Sequence, residues 1–161
     1  MMGRIWRFGD DVDTDQLAPG RYMRGGIEGL AAHCLEATRP EFAAGVRPGD
    51  VIVAGRNFGM GSSREQAAEV LRHLGLAGVV AETFAGIFYR NAINLGLAVL
   101  TAPDLSGVVD GASARLEADA GRLVLADRAV ALDPIPENLL PLLADGGLVP
   151  HLKKRFAGAA P

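Results

Sequence analysis

Apolar and polar positions follow one regime over the first two thirds of the chain and another after it. Residues 4–8 alternate basic and apolar, the period of a half-buried strand, and Gly9-Asp10-Asp11 turns the chain behind them. Val51–Ala54, Gly78–Ala81 and residues 97–100 are short unbroken apolar runs, the pattern of fully buried strands. Between the first two, Ala67, Val70, Leu71 and Leu74 recur at i, i+3, i+4 and i+7, one apolar helix face with Gly75 placed to cap it. Residues 84–94 read as a second helix closed by Gly96. Strand–helix–strand–helix–strand over 51–101 predicts parallel strands joined by right-handed crossovers. The pattern then changes: 114–118 and 122–125 flank Asp119-Ala120-Gly121 as a hairpin, and 129–132 adds a third antiparallel strand. Helical stretches are expected at 27–36, at 137–144 behind Pro136, and at 148–156 beyond Gly146-Gly147. Gly25-Gly26 predicts a mobile point in a glycine-rich loop, and 157–161 a frayed tail. The expectation is a single α/β domain over 1–161 with a mixed sheet.

Composition narrows this. The 161 residues suffice for one well-filled core, and 49% hydrophobic with 22% charged residues is the balance of a globular protein. A net charge of −3 and the lack of a basic stripe with interleaved aromatics argue against nucleic acid as a partner. No apolar run approaches membrane-spanning length and no apolar leader opens the chain, so no membrane contact and a cytoplasmic location are expected. The single cysteine, Cys34, can neither close an internal disulfide nor by itself hold an iron–sulfur cluster or a structural zinc. His33, His73 and His151 are scattered without metal-ligand spacing, so no metal site is expected in this chain. Asp11, Asp13 and Asp15 resemble the start of a calcium loop, but its glycine and glutamate positions hold Gln16 and Tyr22. Asp10 and Asp11 read as a solvated turn.

Candidate chemistry concentrates in residues 55–75, GRNFGMGSSREQAAEVLRHLG. An apolar strand enters a turn punctuated by Gly55, Gly59 and Gly61, then come two serines, Arg64 and Glu65. Ser62-x-x-Glu65 has the form of a capping box, which predicts a helix start at Ser62 or Ser63 with free amides that favour an anion. Arg64 adds a planar fork suited to a carboxylate. A nucleotide loop is excluded in detail: Gly55 and Gly59 are too close for a Walker motif, no lysine precedes Ser62, and Arg64 stands where a dinucleotide fingerprint needs glycine. Gly-x-Ser-x-Gly is absent. Arg90-Asn91 serves either as a structural pair or as an anion contact.

Three blocks carry a family resemblance: GDDVDTD at 9–15, NFGMGSSRE at 57–65 and FYRNAIN at 88–94. In order and spacing they resemble the small subunit of 3-isopropylmalate dehydratase, a family that includes the homoaconitase small subunits and is similar to the swivelling C-terminal domain of aconitase. Residues 137–153 resemble its closing segment. The resemblance implies a swivelling β/β/α fold and a hydro-lyase that isomerises a 2-hydroxy acid by dehydration and rehydration, in leucine biosynthesis if the substrate is 3-isopropylmalate. It also implies a large-subunit partner holding a [4Fe–4S] cluster, so that this chain binds no cofactor of its own and is inactive alone. Ser62 matches the serine that acts as general base, Ser63 and Arg64 match substrate-binding positions with Arg64 also steadying the serine, and Asp15 matches an active-site aspartate. Arg24 lies in the loop associated with substrate choice. It either meets an extra carboxylate, as in the homoaconitase type, or points to solvent.

Two positions depart from the pattern. Met60 stands where the family has cysteine or a small residue, and Gly86 where it has arginine. They leave another hydroxy acid, or a non-catalytic paralogue that assembles without turning over, as alternatives.

Overall fold

The computed structural model describes residues 1–158. The frayed tail expected at 157–161 falls largely on residues 159–161, outside the described residues, while Ala157 closes the last helix. The strands are β1 (Gly3–Arg7), β2 (Val51–Ala54), β3 (Gly78–Ala81), β4 (Val99–Thr101), β5 (Ser113–Glu117), β6 (Arg122–Leu125) and β7 (Ala129–Ala131). The helices are α1 (Thr14–Leu17), α2 (Gly26–Ala32), α3 (Phe42–Gly45), α4 (Gln66–His73), α5 (Gly86–Asn94), α6 (Leu140–Ala144) and α7 (Leu148–Ala157), with 3-10 turns at Gly20–Gly25 and Glu137–Leu139.

The strands form one sheet in the order β4-β3-β2-β1-β5-β6-β7. β1 to β4 are parallel, and β1 pairs on its other edge antiparallel to β5, where the hairpin half begins. The sheet is therefore mixed, as the sequence pattern predicts, with β1 as the seam. Every residue of β2 and β3 is buried because the sheet is covered on both faces. Ile52, Ala54, Val79 and Ala81 face a core shared with α2, α4 and α5. Val51, Val53 and Val80 face a second one completed by Leu100, Leu105, Ala114 and Leu123.

Asp50, at the entrance of β2, is 4% exposed and ties the seam together. Its carboxyl accepts the Trp6 indole N–H at 2.9 Å, the Arg4 amide at 2.7 Å and the Arg47 amide at 2.9 Å. Asp50→Ala leaves three donors without an acceptor, and a loss of about 3 kcal/mol is expected, read in a urea titration. An unchanged midpoint would refute this account of the seam.

The glycine-rich segment expected as a loop around Gly25-Gly26 is a 3-10 helix, Gly20–Gly25, running directly into α2. The cause is a side-chain clamp that local composition does not reveal. Tyr22 stacks on His33 with centroids 3.5 Å apart and rings 5° from parallel. Glu36 accepts from Arg21 at 2.8 Å and contacts His33 Nδ1 at 2.6 Å, and these two partners, His33 first, hold its carboxyl down at about 2. The helix expected at 27–36 accordingly stops at Ala32, and Leu35 takes a left-handed φ of 60° to close the turn.

Candidate active site

The three sequence blocks meet at the carboxyl ends of β1, β2 and β3, the end where open parallel sheets place ligands. Backbone bonds stitch their loops side by side. Gly55 N–H reaches Gly9 O (3.1 Å), Gly59 N–H reaches Val12 O (2.7 Å) and Thr14 N–H reaches Met60 O (2.9 Å). On the other side, Phe58 N–H reaches Thr83 O (3.0 Å) and Ala85 N–H reaches Phe58 O (2.9 Å). Asp10 and Asp11 lie exposed at a bend, as the sequence suggests, and they also bond the glycine loop. Asp10 Oδ1 accepts the Arg56 amide at 2.7 Å and Asp11 Oδ1 accepts from Asn57 Nδ2 at 3.2 Å, so both fasten the glycine loop. Their partners lie 46 residues away, beyond the reach of local pattern.

Ser62 and Ser63 are exposed and precede the helix rather than starting it. α4 begins at Gln66, its N-cap Glu65 has helical φ and ψ, and its first amide bonds run from Ala67 to Arg64 and from Ala68 to Glu65. The capping box expected at Ser62 and Glu65 is therefore not formed. Ser62 turns to Thr14 instead: its amide donates to Thr14 Oγ1 at 3.1 Å, and the two hydroxyl oxygens are 3.1 Å apart. A capping box does exist in the chain, one block earlier. Asp13 Oδ1 accepts the Gln16 amide (2.8 Å) and Gln16 Oε1 accepts the Asp13 amide (3.2 Å), which starts α1 and fixes Thr14 and Asp15.

Arg64 reaches across to the first block. Its Nη1 donates to Ala18 O at 2.7 Å and to Asp15 Oδ1 at 3.2 Å. Asp15 also accepts the Gly20 amide at 3.1 Å, and that bond first, then Arg64, lowers its carboxyl below the usual range. The carboxylate therefore keeps its charge throughout the neutral range and anchors one nitrogen of Arg64. The guanidinium's remaining N–H groups have no protein acceptor among the described residues. Asn91, whose role spacing left open, donates from Nδ2 to Ser63 O at 3.3 Å and ties the serine loop to α5. Arg24 lies exposed in the last turn of the 3-10 helix.

Met60 and Gly86 take definite places. The Met60 sulfur lies 3.4 Å from Asn57 Nδ2, so the side chain turns back along the glycine loop and packs on the amide that holds Asp11. Gly86 opens α5, is exposed, and has no atom within 4 Å of where a Cβ would stand.

The residues of this chain do not fit an iron–sulfur cluster. Among the described residues no group of three or more His, Cys, Asp or Glu side chains is placed to hold a metal ion. Cys34 is fully buried beside Leu35, and burial pushes its thiol far above the ordinary range, so it offers no thiolate.

Comparison with known proteins bears on the family and the fold. Residues 43–105 match the family model of the aconitase C-terminal domain. The methanogen homoaconitase small subunit of Methanothermobacter thermautotrophicus is 51% identical, over 94% of this chain and 90% of that protein. The 3-isopropylmalate dehydratase small subunit 2 of Archaeoglobus fulgidus is 48% identical, over 96% of this chain and 95% of the other. A crystal structure of a 3-isopropylmalate dehydratase from Methanocaldococcus jannaschii superposes with a TM-score of 0.90 at 42% identity, covering 97% of this chain and 95% of its own. The chain belongs to the family of 3-isopropylmalate dehydratase and homoaconitase small subunits, hydro-lyase subunits built on the aconitase C-terminal fold.

Proposed function

We propose that this chain supplies the proton-transfer half of an active site whose other half is a large iron–sulfur subunit, and that the pair isomerises a 2-hydroxy acid, foremost 3-isopropylmalate. The observation that supports this most is the convergence of Ser62, Arg64 and Asp15 from two distant blocks onto one rim of the sheet. The cluster expected on the partner would supply a Lewis acid for the departing hydroxide. On this chain, Ser62 Oγ, as the alkoxide left once its own hydrogen has passed to solvent, takes the proton from the carbon beside a substrate carboxylate and returns it in the rehydration step. Arg64, with one nitrogen anchored on Asp15 and Ala18, presents its remaining N–H groups to that carboxylate, and Ser63 adds a hydroxyl beside it. An exposed serine is a poor base in water, so the site acts only when the partner closes over it and excludes solvent.

A homoaconitase-type substrate is the second reading, favoured by Arg24: an exposed guanidinium in the segment that follows Asp15 suits a second distal carboxylate.

The test is anaerobic reconstitution with the large subunit, followed by assay of 3-isopropylmalate, homoaconitate and related hydroxy acids. Neither subunit alone is expected to turn over. Arg24→Val is expected to shift relative kcat/KM toward isopropylmalate by about 10-fold or more, the scale of one lost charge-assisted contact. Unchanged relative rates would remove Arg24 from substrate choice, and no turnover on any acid would favour a non-catalytic assembly module.

A further inference from the structure

Thr14 is 3% exposed, yet its hydroxyl lies on the serine proposed as the base. A hydroxyl carries one proton and two acceptor lone pairs. One lone pair of Thr14 Oγ1 takes the Ser62 amide N–H at 3.1 Å. Among the described residues, the other polar partner of Thr14 Oγ1 is Ser62 Oγ, also at 3.1 Å. If Ser62 were the donor, the buried Thr14 proton would have no acceptor, the arrangement that folded proteins avoid.

We infer that Thr14 is a positioning residue that donates its hydroxyl hydrogen to Ser62 Oγ. This rests on the reading of Ser62 as the base. The serine's own hydrogen is then turned away from Thr14, toward the open side of the site. When that hydrogen passes to solvent at the exposed side of Ser62, before the site closes, the alkoxide that remains already has a donor aimed at it from protein that water does not reach. No bond to Thr14 forms or breaks: the proton taken from the substrate carbon resides on Ser62 Oγ and returns from there. Gly61 makes the approach possible. Its φ is +109°, and a Cβ there would sit 3.0 Å from Thr14 Oγ1. A side chain at the residue before Ser62 would thus press on Thr14 Oγ1 and strain a backbone conformation that suits glycine.

The experiment compares Thr14→Val, which keeps the shape, with Thr14→Ser, which keeps the hydroxyl, in the reconstituted two-subunit enzyme, with Ser62→Ala alongside. Thr14→Ala stands in should the valine variant fail to fold, judged by its melting curve. The valine variant is expected to lose on the order of 100-fold in kcat with KM little changed, the scale of one lost oxyanion donor. Its deuterium isotope effect, measured with substrate deuterated at the carbon that loses the proton, is expected to rise as that transfer becomes slower. Thr14→Ser is expected to recover most of the rate. The inference falls if Ser62→Ala is inactive while Thr14→Val keeps its kcat, if the serine variant loses as much as the valine variant, or if the rate falls with no change in the isotope effect. Activity in Ser62→Ala would instead overturn the base assignment itself, and this inference with it.

Discussion

Ser62→Ala is expected to lower kcat of the reconstituted enzyme by about 1,000-fold, within the range of general-base contributions, while the small subunit stays folded. The two halves of this expectation come from different observations. Ser62 is exposed, and among the described residues its side chain makes a single hydrogen bond, to Thr14. Its removal thus costs the fold about 1 kcal/mol at most. On the proposed reading Arg64 holds the substrate's carboxylate, and its anchors on Asp15 and Ala18 do not involve Ser62. KM should therefore change far less than kcat, the signature of a group that acts in the transition state. Steady-state kinetics beside a melting curve checks both halves. A variant that retains turnover within about tenfold of wild type has not lost a general base, and one that melts early has lost its fold instead.

What the sequence reveals of this site, and what it hides, divides along the range of the interactions. β2, β3 and the face of α4 are legible because Val51–Ala54, Gly78–Ala81 and the apolar spacing from Ala67 to Leu74 are local patterns whose burial requires one periodicity. The mixed topology follows from the same patterns, since short βαβ spacing and a two-sided hairpin impose different pairing. The start of α4 is misread because Ser62-x-x-Glu65 meets a local rule that a distant partner overrides: Thr14, 48 residues away, takes the Ser62 hydroxyl. Thr14 escapes notice for the same reason. In sequence it is a threonine between two aspartates, and only the pairing of Asp13 with Met60 brings it under the serine. The 3-10 turn at Gly20–Gly25 is hidden likewise, because glycine content gives no sign of the Tyr22–His33 stack and the Glu36 contacts beside it. Met60 is a further case. By chain position it adjoins the base, but its sulfur turns away to Asn57.

Gly59→Ala is expected to destabilise the chain by about 2–5 kcal/mol, although it adds one methyl group. Gly59 has a φ of +82°, a left-handed conformation that costs an L-residue about 1–2 kcal/mol. The added Cβ would also overlap the Phe88 ring at Cγ. Phe88 cannot yield easily, since it is 2% exposed, meets Phe58 edge-on at 5.3 Å and stacks with Phe84 at 6.2 Å. Overpacking of this kind adds about 1–3 kcal/mol. For a domain of this size the sum lowers Tm by roughly 10 °C. Activity should fall as well, because the Gly59 amide bonds Val12 O at 2.7 Å and fixes the loop that carries Ser62 against the block that carries Thr14 and Asp15. Gly86→Ala is the contrast. With nothing within 4 Å of the new Cβ and a place in the first turn of α5, it should leave Tm unchanged or raise it slightly, since alanine favours a helix over glycine by up to about 1 kcal/mol. Equal melting of the two variants would mean that the glycine loop is not locked against α5, and the fixed placement of Ser62 would lose its physical basis.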